Sequence, residues 1–339
     1  MREKRYEGLD ILKLICAFLV ICIHVPTSLR IYENIVVLSR VAVPIFFMIT
    51  GFFWNKVVIE HQEKNQIVKI LKLIVTSVVI YLVWIVIYGN LIGKNLIKNY
   101  EKVFTKELIE LVFFNKFSLA GHLWYLFAIL YIMILMQYLY RILKHNKSLI
   151  YIFIIILLLF QLLLGNYSWI INKYFLPEIT RNFFITGLPY FLIGAITEKN
   201  IKILKEKFFM WKIIIILILS SIIEANLLKN MNYIIDKDIY ITTIFLSYII
   251  FVKMLYMKND NKYLSNIGLI GKKYSTPIYI WHNIFHTILF ILSKKLGLLD
   301  IYQILAPILV FSVIIICCIF YQKIKNKIKG EIREKNEFI

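Results

Sequence analysis

The first apolar stretch of the chain contains three ionisable side chains that share one helical face. Asp10 and Lys13 are three residues apart, a spacing that makes them neighbours on a helix. His24 follows Asp10 by fourteen residues, close to four turns, which places it about 21 Å further along the same face. An imidazole accepts protons near neutral pH, and a charged pair can hold a charged ligand. We therefore predict a proton-accepting group at one end of this helix and a binding site for a charged ligand at the other.

Two later apolar stretches carry arginines at their ends. Arg40 lies just before Pro44, which frees a backbone carbonyl, and Arg181 opens the stretch that runs to residue 197. Arginine donors bind oxyanions and anionic substrates, so both arginines are candidates for that role. The other candidates are four substrate-binding side chains and one carboxylate within an apolar stretch: His122, Trp124, Tyr279, His282 and Glu224.

The composition excludes a soluble globular domain. Of the 339 residues, 60% are apolar and 18% are charged, and the mean hydropathy is +0.75. A soluble domain is about half apolar and a quarter charged, so the excess apolar surface must face lipid. Ionisable side chains in such a setting are costly and usually face a water-filled cavity or one another.

Each candidate also has an ordinary role in a membrane protein. Asp10 with Lys13 is then a charged pair at the membrane interface, and His24 is a solvated histidine at a helix end. Arg40 is in that case an interfacial anchor, and Trp124 belongs to an aromatic belt at the membrane surface. The sequence alone leaves these alternatives open.

Ten apolar runs reach the roughly 20 residues that a membrane-spanning helix requires. They fall at 9–29, 36–54, 67–88, 122–142, 148–165, 181–197, 210–228, 239–257, 274–293 and 303–323. The net charge is +20, and the basic residues concentrate in alternate connecting segments. Because cytoplasmic loops are rich in Lys and Arg, both termini are predicted to be cytoplasmic. The predicted fold class is therefore all-α, a polytopic membrane protein with about ten transmembrane helices.

Residues 1–339 are predicted to form a single membrane-embedded domain. The connection 89–121 is predicted to be an extracellular loop with a short interfacial helix, and 324–339 a basic cytoplasmic tail. The basic charge is explained by cytoplasmic loops, so the lipid bilayer and not nucleic acid is the expected partner. The four cysteines lack metal-ligand spacing, and no metal is expected. The abundance of Ile, Lys and Asn favours a bacterial cytoplasmic membrane as the location.

Five motifs together resemble the acyltransferase family 3 of multi-span membrane proteins, over nearly the whole chain. They are GLD at 8–10 with His24, VPIFFMITG at 43–51, HLWYL at 122–126, GLPYFLIG at 187–194 and YSTPIYIWH at 274–282. Arg40 before the Pro-Phe-Phe run and Thr180-Arg181-Asn182 are especially similar to the membrane domain of the vancomycin-resistance serine racemase. The soluble racemase domain of that protein is absent from this chain.

The resemblance implies transfer of an acyl group, usually acetyl from acetyl-CoA, to a hydroxyl of a cell-envelope carbohydrate outside the membrane. His24 matches the family's catalytic histidine at the end of the first helix. Asp10 and Lys13 match its charged motif near the start of that helix, where an arginine is commoner than a lysine, and Thr50 stands where many members have serine. We expect acyl-CoA to bind at Lys13 and extend toward His24, while Arg40 or Arg181 stabilises the tetrahedral oxyanion.

A transporter for a small zwitterion such as serine is the alternative function, because the racemase-associated domain is thought to import serine. In that case Arg40 and Arg181 would hold a carboxylate, and Asp10 with Lys13 would form an inner gate. The chain shows no internal repeat and no paired Gly/Pro-broken helices, features that are common in transporters built from duplicated halves. These absences favour the enzyme.

Overall fold

A computed structural model of the protein describes residues 5–93, 109–111, 113–143, 147–200, 210–230, 239–257 and 261–337. All regular secondary structure in these ranges is helical. Five of the described helical segments, the first with a turn at residues 40–41, are long and apolar enough to cross a membrane: Tyr32–Ile59, Glu63–Leu91, Ala120–Leu139, Trp211–Asn230 and Leu299–Ile328. The all-α, multi-pass prediction is therefore confirmed at this level. The number of ten spans and the cytoplasmic location of the termini stay predictions.

Every predicted apolar run lies for most of its length on helix. The main helices are α1 Glu7–His24, α2 Tyr32–Ser39, α3 Ala42–Ile59, α4 Glu63–Leu91, α5 Trp124–Leu143, α6 Lys147–Leu164, α7 Leu188–Lys199, α8 Met210–Asn230, α9 Ile241–Leu255, α10 Lys262–Lys295 and α11 Leu299–Glu337. Shorter pieces are the 3₁₀ turns Ser118–Leu123 and Ser168–Ile171, the single α-helical turn Pro177–Thr180 and the π-helix Phe183–Gly187.

Prolines set two boundaries that differ from the predicted runs. α1 ends at His24 and not at residue 29, because Pro26 favours an extended conformation for Val25, which has φ −113° and ψ 96°. The run 36–54 contains a break at Arg40–Val41 between α2 and α3. Pro44 cannot donate to the Arg40 carbonyl and its ring crowds that carbonyl, so the helical ladder is interrupted there.

The two non-spanning segments are partly described. In 89–121, α4 continues to Leu91 and residues 109–111 and 113–114 are helical, while Leu108 and Val112 of the predicted interfacial helix lie outside the described residues. The predicted tail 324–339 continues α11 as helix up to Glu337.

The chain divides into two compact units. The first unit comprises Met1–Ser39 and Met257–Ile339, and the second unit comprises Arg40–Tyr256. Each has a core built on a close contact between two helices that are far apart in sequence.

In the first unit, α1 packs against α10 through glycine. A Cβ atom at Gly271 would lie 2.0 Å from the Asp10 carbonyl oxygen, so only glycine permits this approach. Contacts rise together along both helices, from Arg5 with Ser265 to His24 with His282, and the two helices are therefore parallel. α11 runs antiparallel to α1, since Phe18 contacts Phe311 while Ser28, beyond the end of α1, donates its N–H to the Gln303 carbonyl at 3.0 Å.

In the second unit, α3 packs against α7 in the same manner. Cβ atoms at Gly51 and Gly194 would lie 1.9 Å and 2.0 Å from the carbonyl oxygens of Phe191 and Met48 respectively. Buried Asn55 donates from Nδ2 to the Ala195 carbonyl at 2.9 Å and so ties the two helices further along.

Candidate functional site

A charged cluster surrounds the start of α1. Asp10 is 5% exposed, and its carboxylate accepts from Lys13 Nζ at 3.1 Å and from Arg5 Nε at 3.0 Å. Arg5 also pairs with Glu7, with 3.3 Å between Nη1 and Oε1. The two cations offset the free-energy cost of removing the Asp10 carboxylate from water. Arg5, Glu7, Asp10 and Lys13 are called the charged cluster below.

The charged cluster is fixed to α10 at the same level. Ser265 Oγ donates to Glu7 Oε1 at 2.9 Å, and Arg5 Nη2 donates to the Ser265 carbonyl at 3.3 Å. Helical spacing predicts the pair of Asp10 and Lys13 but not the contact with Arg5, because Arg5 precedes the helix and lies outside its regular spacing. The side chains of Arg5 and Lys13 remain 27% and 24% exposed, so neither cation is fully enclosed by protein.

Two imidazoles meet at the other end of α1. The rings of His24 and His282 have centroids 5.3 Å apart and are tilted by 38°. His24 is exposed, whereas His282 has no exposed surface. His282 Nδ1 lies 2.7 Å from the Tyr279 carbonyl oxygen, which can only accept, so Nδ1 carries a proton. Nε2 is then the acceptor nitrogen of the neutral ring. His24 and His282 are called the histidine pair below.

One turn further along α10, His286 is held by α11. Its Nδ1 lies 2.7 Å from the Tyr302 hydroxyl, which itself donates to the His286 carbonyl at 3.1 Å. Because the single hydroxyl proton is used in the second bond, His286 Nδ1 is the donor in the first. This pair joins α10 to α11.

The remaining predicted residues belong to the second unit. Arg40 lies in the turn before α3, and Arg181 follows the helical turn Pro177–Thr180, with its backbone N–H donating to the Pro177 carbonyl at 2.8 Å. Both arginines are half-buried.

His122 and Trp124 begin the helical stretch that becomes α5. His122 is 3% exposed and its Nε2 lies 3.1 Å from the Tyr81 hydroxyl of α4. The Trp124 ring lies 6.0 Å from Phe47 of α3. His122 therefore joins two helices, a contact that its sequence position does not reveal.

The comparison with protein families decides the identity. The family model for the acyltransferase family 3 domain matches residues 6–322. The chain belongs to acyltransferase family 3. No curated protein and no solved structure matches the chain. Family membership makes the protein an acyl-transferring membrane enzyme in general terms and confirms the resemblance seen in the five motifs.

The acyltransferase carries a buried polar network that periodicity did not reveal. Asn182 caps the π-helix, with Oδ1 accepting from the backbone N–H groups of Phe184 and Ile185 at 2.9 Å each. Thr186 donates to the Thr180 carbonyl at 2.6 Å and accepts from Gln161 Nε2 at 2.7 Å. These bonds satisfy the groups that the irregular backbone leaves open within an apolar run. An Asn before an apolar stretch is the one sequence signal of this cap.

Glu224 of the acyltransferase has a structural role. Its carboxylate accepts from the backbone N–H groups of Ile241 and Thr242 at 2.8 Å and 3.0 Å, and from the hydroxyls of Tyr167 and Thr242. The carboxylate thus caps the N-terminus of α9, where negative charge is favoured. The geometry explains this ionisable residue without a part in the chemistry.

An ion cluster ties the segment before α5 to the turn before the π-helix. Lys116 Nζ lies 3.0 Å from Glu178 Oε1 and 3.1 Å from Glu110 Oε2. The hydrogen bond with Glu178 raises the pKa of Lys116. Burial alone would raise the pKa of Glu178, but its backbone hydrogen bond and the Lys116 ammonium together lower it. The three residues are called the Lys116 cluster below.

Proposed function

We propose that this acyltransferase moves an acyl group, acetyl in the first instance, from cytoplasmic acyl-CoA to a hydroxyl of an extracytoplasmic cell-envelope carbohydrate. Membership of acyltransferase family 3 supports the reaction class. The observation that carries the finer proposal is the α1–α10 pair, which has the charged cluster at one end and the histidine pair at the other.

The charged cluster supplies the site for the anionic end of coenzyme A. Arg5 and Lys13 both face Asp10, which holds two cationic side chains in one place, and both are partly exposed. Phosphate oxygens can take the place of solvent at these cations, with the planar guanidinium able to bind in a bidentate manner and the ammonium as a point charge. Arg5 thereby offers the guanidinium that the family more often carries at the position of Lys13.

The length of α1 suits an extended pantetheine arm. Asp10 and His24 are fourteen residues apart on one continuous helix, or about 21 Å at 1.5 Å per residue. A thioester carried by coenzyme A bound at the charged cluster then reaches the level of the histidine pair.

His24 acts as general base in the proposed step. Its imidazole takes the proton of the acceptor hydroxyl as the oxygen attacks the thioester carbonyl carbon and the new C–O bond forms. The tetrahedral oxyanion then collapses, the C–S bond breaks, and the coenzyme A thiolate takes the proton from the imidazolium. The products are the acyl ester and free coenzyme A, and the neutral imidazole is restored.

The position of His24 favours this role. His24 is the last residue of α1, and the carbonyl end of a helix stabilises positive charge such as an imidazolium. Its exposure gives an acceptor access to the ring. Oxyanion stabilisation by Arg40 or Arg181 stays a prediction.

The test is acyl transfer by the purified protein in vesicles supplied with labelled acetyl-CoA. We expect label release or transfer, and a loss of about 10²–10⁴-fold in the His24→Ala variant if it folds, the usual contribution of a general base. Full transfer by folded His24→Ala protein would eliminate the mechanism. Serine uptake by the same vesicles without acyl transfer would favour the transporter.

A further inference from the structure

His282 has no exposed surface and lies next to His24, which is exposed. Its sequence-based assignment as a substrate contact stays a prediction, and its burial favours a role that acts through His24. This inference rests on the proposed function of His24 as general base.

The orientation of the His282 ring is fixed from one side. The hydrogen bond from Nδ1 to the Tyr279 carbonyl, three residues earlier on α10, sets both the tautomer and the ring plane. With Nδ1 as donor, the neutral ring presents Nε2 as an acceptor. His282 can therefore accept a hydrogen bond from a neighbouring side chain.

The separation of the two rings leaves room for a hydrogen bond between them. The centroids are 5.3 Å apart and the ring planes are tilted by 38°, which excludes close parallel stacking. A hydrogen bond of about 3 Å between two ring nitrogens needs a separation of this size. The titratable groups around His282 are His24 on α1 and Tyr279 and His286 on α10, and His286 is itself bonded to Tyr302 on α11.

We propose that His282 is a positioning residue for His24. The exposed His24 ring turns to bring one N–H to Nε2 of His282, which accepts it and so directs the other His24 nitrogen at the acceptor hydroxyl. When His24 takes the proton, the same bond stabilises the imidazolium. The Tyr279 carbonyl on α10 thus fixes the His282 ring, and His282 in turn orients His24.

Three substitutions separate this role from packing. His282→Gln places an amide oxygen near the position of Nε2 and keeps an acceptor. His282→Asn keeps an amide N–H near Nδ1 for the Tyr279 carbonyl but loses the acceptor, and His282→Phe fills the volume alone. We expect kcat to fall less than about 5-fold in the Gln variant and about 10–100-fold in the other two, the usual effect of removing an orienting partner. KM for acetyl-CoA is expected to stay unchanged, because in this role His282 acts through His24 and does not contact it.

A second readout does not depend on activity. The rate at which diethyl pyrocarbonate modifies His24, followed by mass spectrometry, is expected to fall in the Asn and Phe variants and to be retained in the Gln variant. His286→Gln is the matched control on the same helix, and its His24 modification rate is expected to equal that of the wild type. Thermal melting screens all variants, and if the Phe variant does not fold, the Gln and Asn variants decide.

The outcomes distinguish the two proposals. Equal His24 modification rates, or equal kcat values, in the Gln and Asn variants would overturn the positioning role. If neither the wild type nor any variant transfers acyl groups while the modification rates follow the expected order, the proposed function fails and the histidine pair stands.

Discussion

At the scale of single residues, the charged cluster divides the charge compensation of buried Asp10 between two cations. Asp10 is bound by two cations from different sides, Lys13 along the helix and Arg5 from the preceding chain. Removing Lys13 therefore leaves the buried carboxylate with one cation, whereas removing Asp10 would leave two cations facing each other. Lys13 is accordingly the member of the cluster whose loss is least disruptive and most informative.

Lys13→Ala is expected to raise KM for acetyl-CoA about 10- to 100-fold with little change in kcat. The reason is that one charge-assisted hydrogen bond, worth about 1.5–3 kcal/mol, is lost from ground state and transition state alike. Lys13→Arg is expected to restore KM. Steady-state kinetics with labelled acetyl-CoA measures both, and Lys327→Ala, an exposed lysine of α11, is the control. An unchanged KM in Lys13→Ala would remove the charged cluster from coenzyme A binding.

The sequence predicts which side chains are neighbours on α1, but it does not predict the contact between α1 and α10. Asp10, Lys13 and His24 belong to one helix, where spacing alone sets which side chains are neighbours. His282 comes from the other end of the chain, and only the packing of α1 on α10 brings it to His24. Tertiary contacts of this kind have no local pattern, so the sequence could mark both histidines but not pair them.

At the scale of elements, the α1–α10 contact sets the geometry of the whole site. The two helices approach so closely that the Asp10 carbonyl occupies the space of a Cβ at Gly271. A shift of either helix would move the charged cluster and the histidine pair together. The small residues at this contact therefore set the spacing of the two helices that carry both ends of the proposed site.

Gly271→Ala is expected to destabilise the protein by about 1–3 kcal/mol, the usual cost of overpacking. The added methyl would lie 2.0 Å from backbone, which cannot move as a side chain can. Thermal melting in detergent is the measurement. Gly121→Ala is the matched control, since a Cβ there meets no heavy atom within 4 Å. Equal melting temperatures for both variants would show that α1 and α10 are not so closely packed in solution.

The sequence-based boundaries are wrong where a side chain interrupts the regular backbone hydrogen bonds of a helix. The run 181–197 has helical composition, yet it begins with a π-helix because Asn182 takes the first backbone donors. The run 36–54 is interrupted because Pro44 lacks the donor for Arg40. Hydrophobic periodicity locates helices well, but it does not record such local competition for backbone hydrogen bonds.

The Lys116 cluster gives a pH dependence of known sign. The pKa of Glu178 is lowered, so its contribution to stability is complete above the unfolded value of about 4.3 and is lost as pH falls through the folded value. The pKa of Lys116 is raised, so its contribution is complete below about 10.4 and is lost as pH rises further. The pair is partly exposed and contributes at most about 1 kcal/mol.

Glu178→Gln is therefore expected to reduce the free energy of unfolding by a constant amount between about pH 5 and 9. The difference from wild type should shrink below about pH 4, where wild-type Glu178 also becomes neutral. Unfolding in denaturant across this range measures it. Lys173→Gln, an exposed lysine of the same connection, is expected to show no such dependence. A difference that grows toward acid would contradict the assigned sign.

At the scale of the whole molecule, the proposed function and the charge distribution predict the same orientation of the chain in the membrane. Acyl-CoA is made in the cytoplasm, so the charged cluster at the start of α1 must face that side if the proposed function is right. The basic segments between alternate runs predict the same orientation. The two arguments are independent, because one rests on the chemistry of a site and the other on loop composition.

Cysteine labelling tests this orientation directly. Cys317 and Cys318 are first replaced, and Cys16 and Cys22 stay in place because they are buried. One new cysteine at a time then replaces an exposed lysine: Lys64, Lys173 or Lys327. A membrane-impermeant maleimide added to intact cells is expected to label only Lys173→Cys, because it lies between the fifth and sixth predicted runs and therefore outside. Lys64→Cys and Lys327→Cys should react only after permeabilisation. If the number of spans between Lys64 and Lys327 is odd, only one of these two positions will be labelled in intact cells. If both are labelled in intact cells, the charged cluster lies outside, and cytoplasmic acyl-CoA cannot be its ligand.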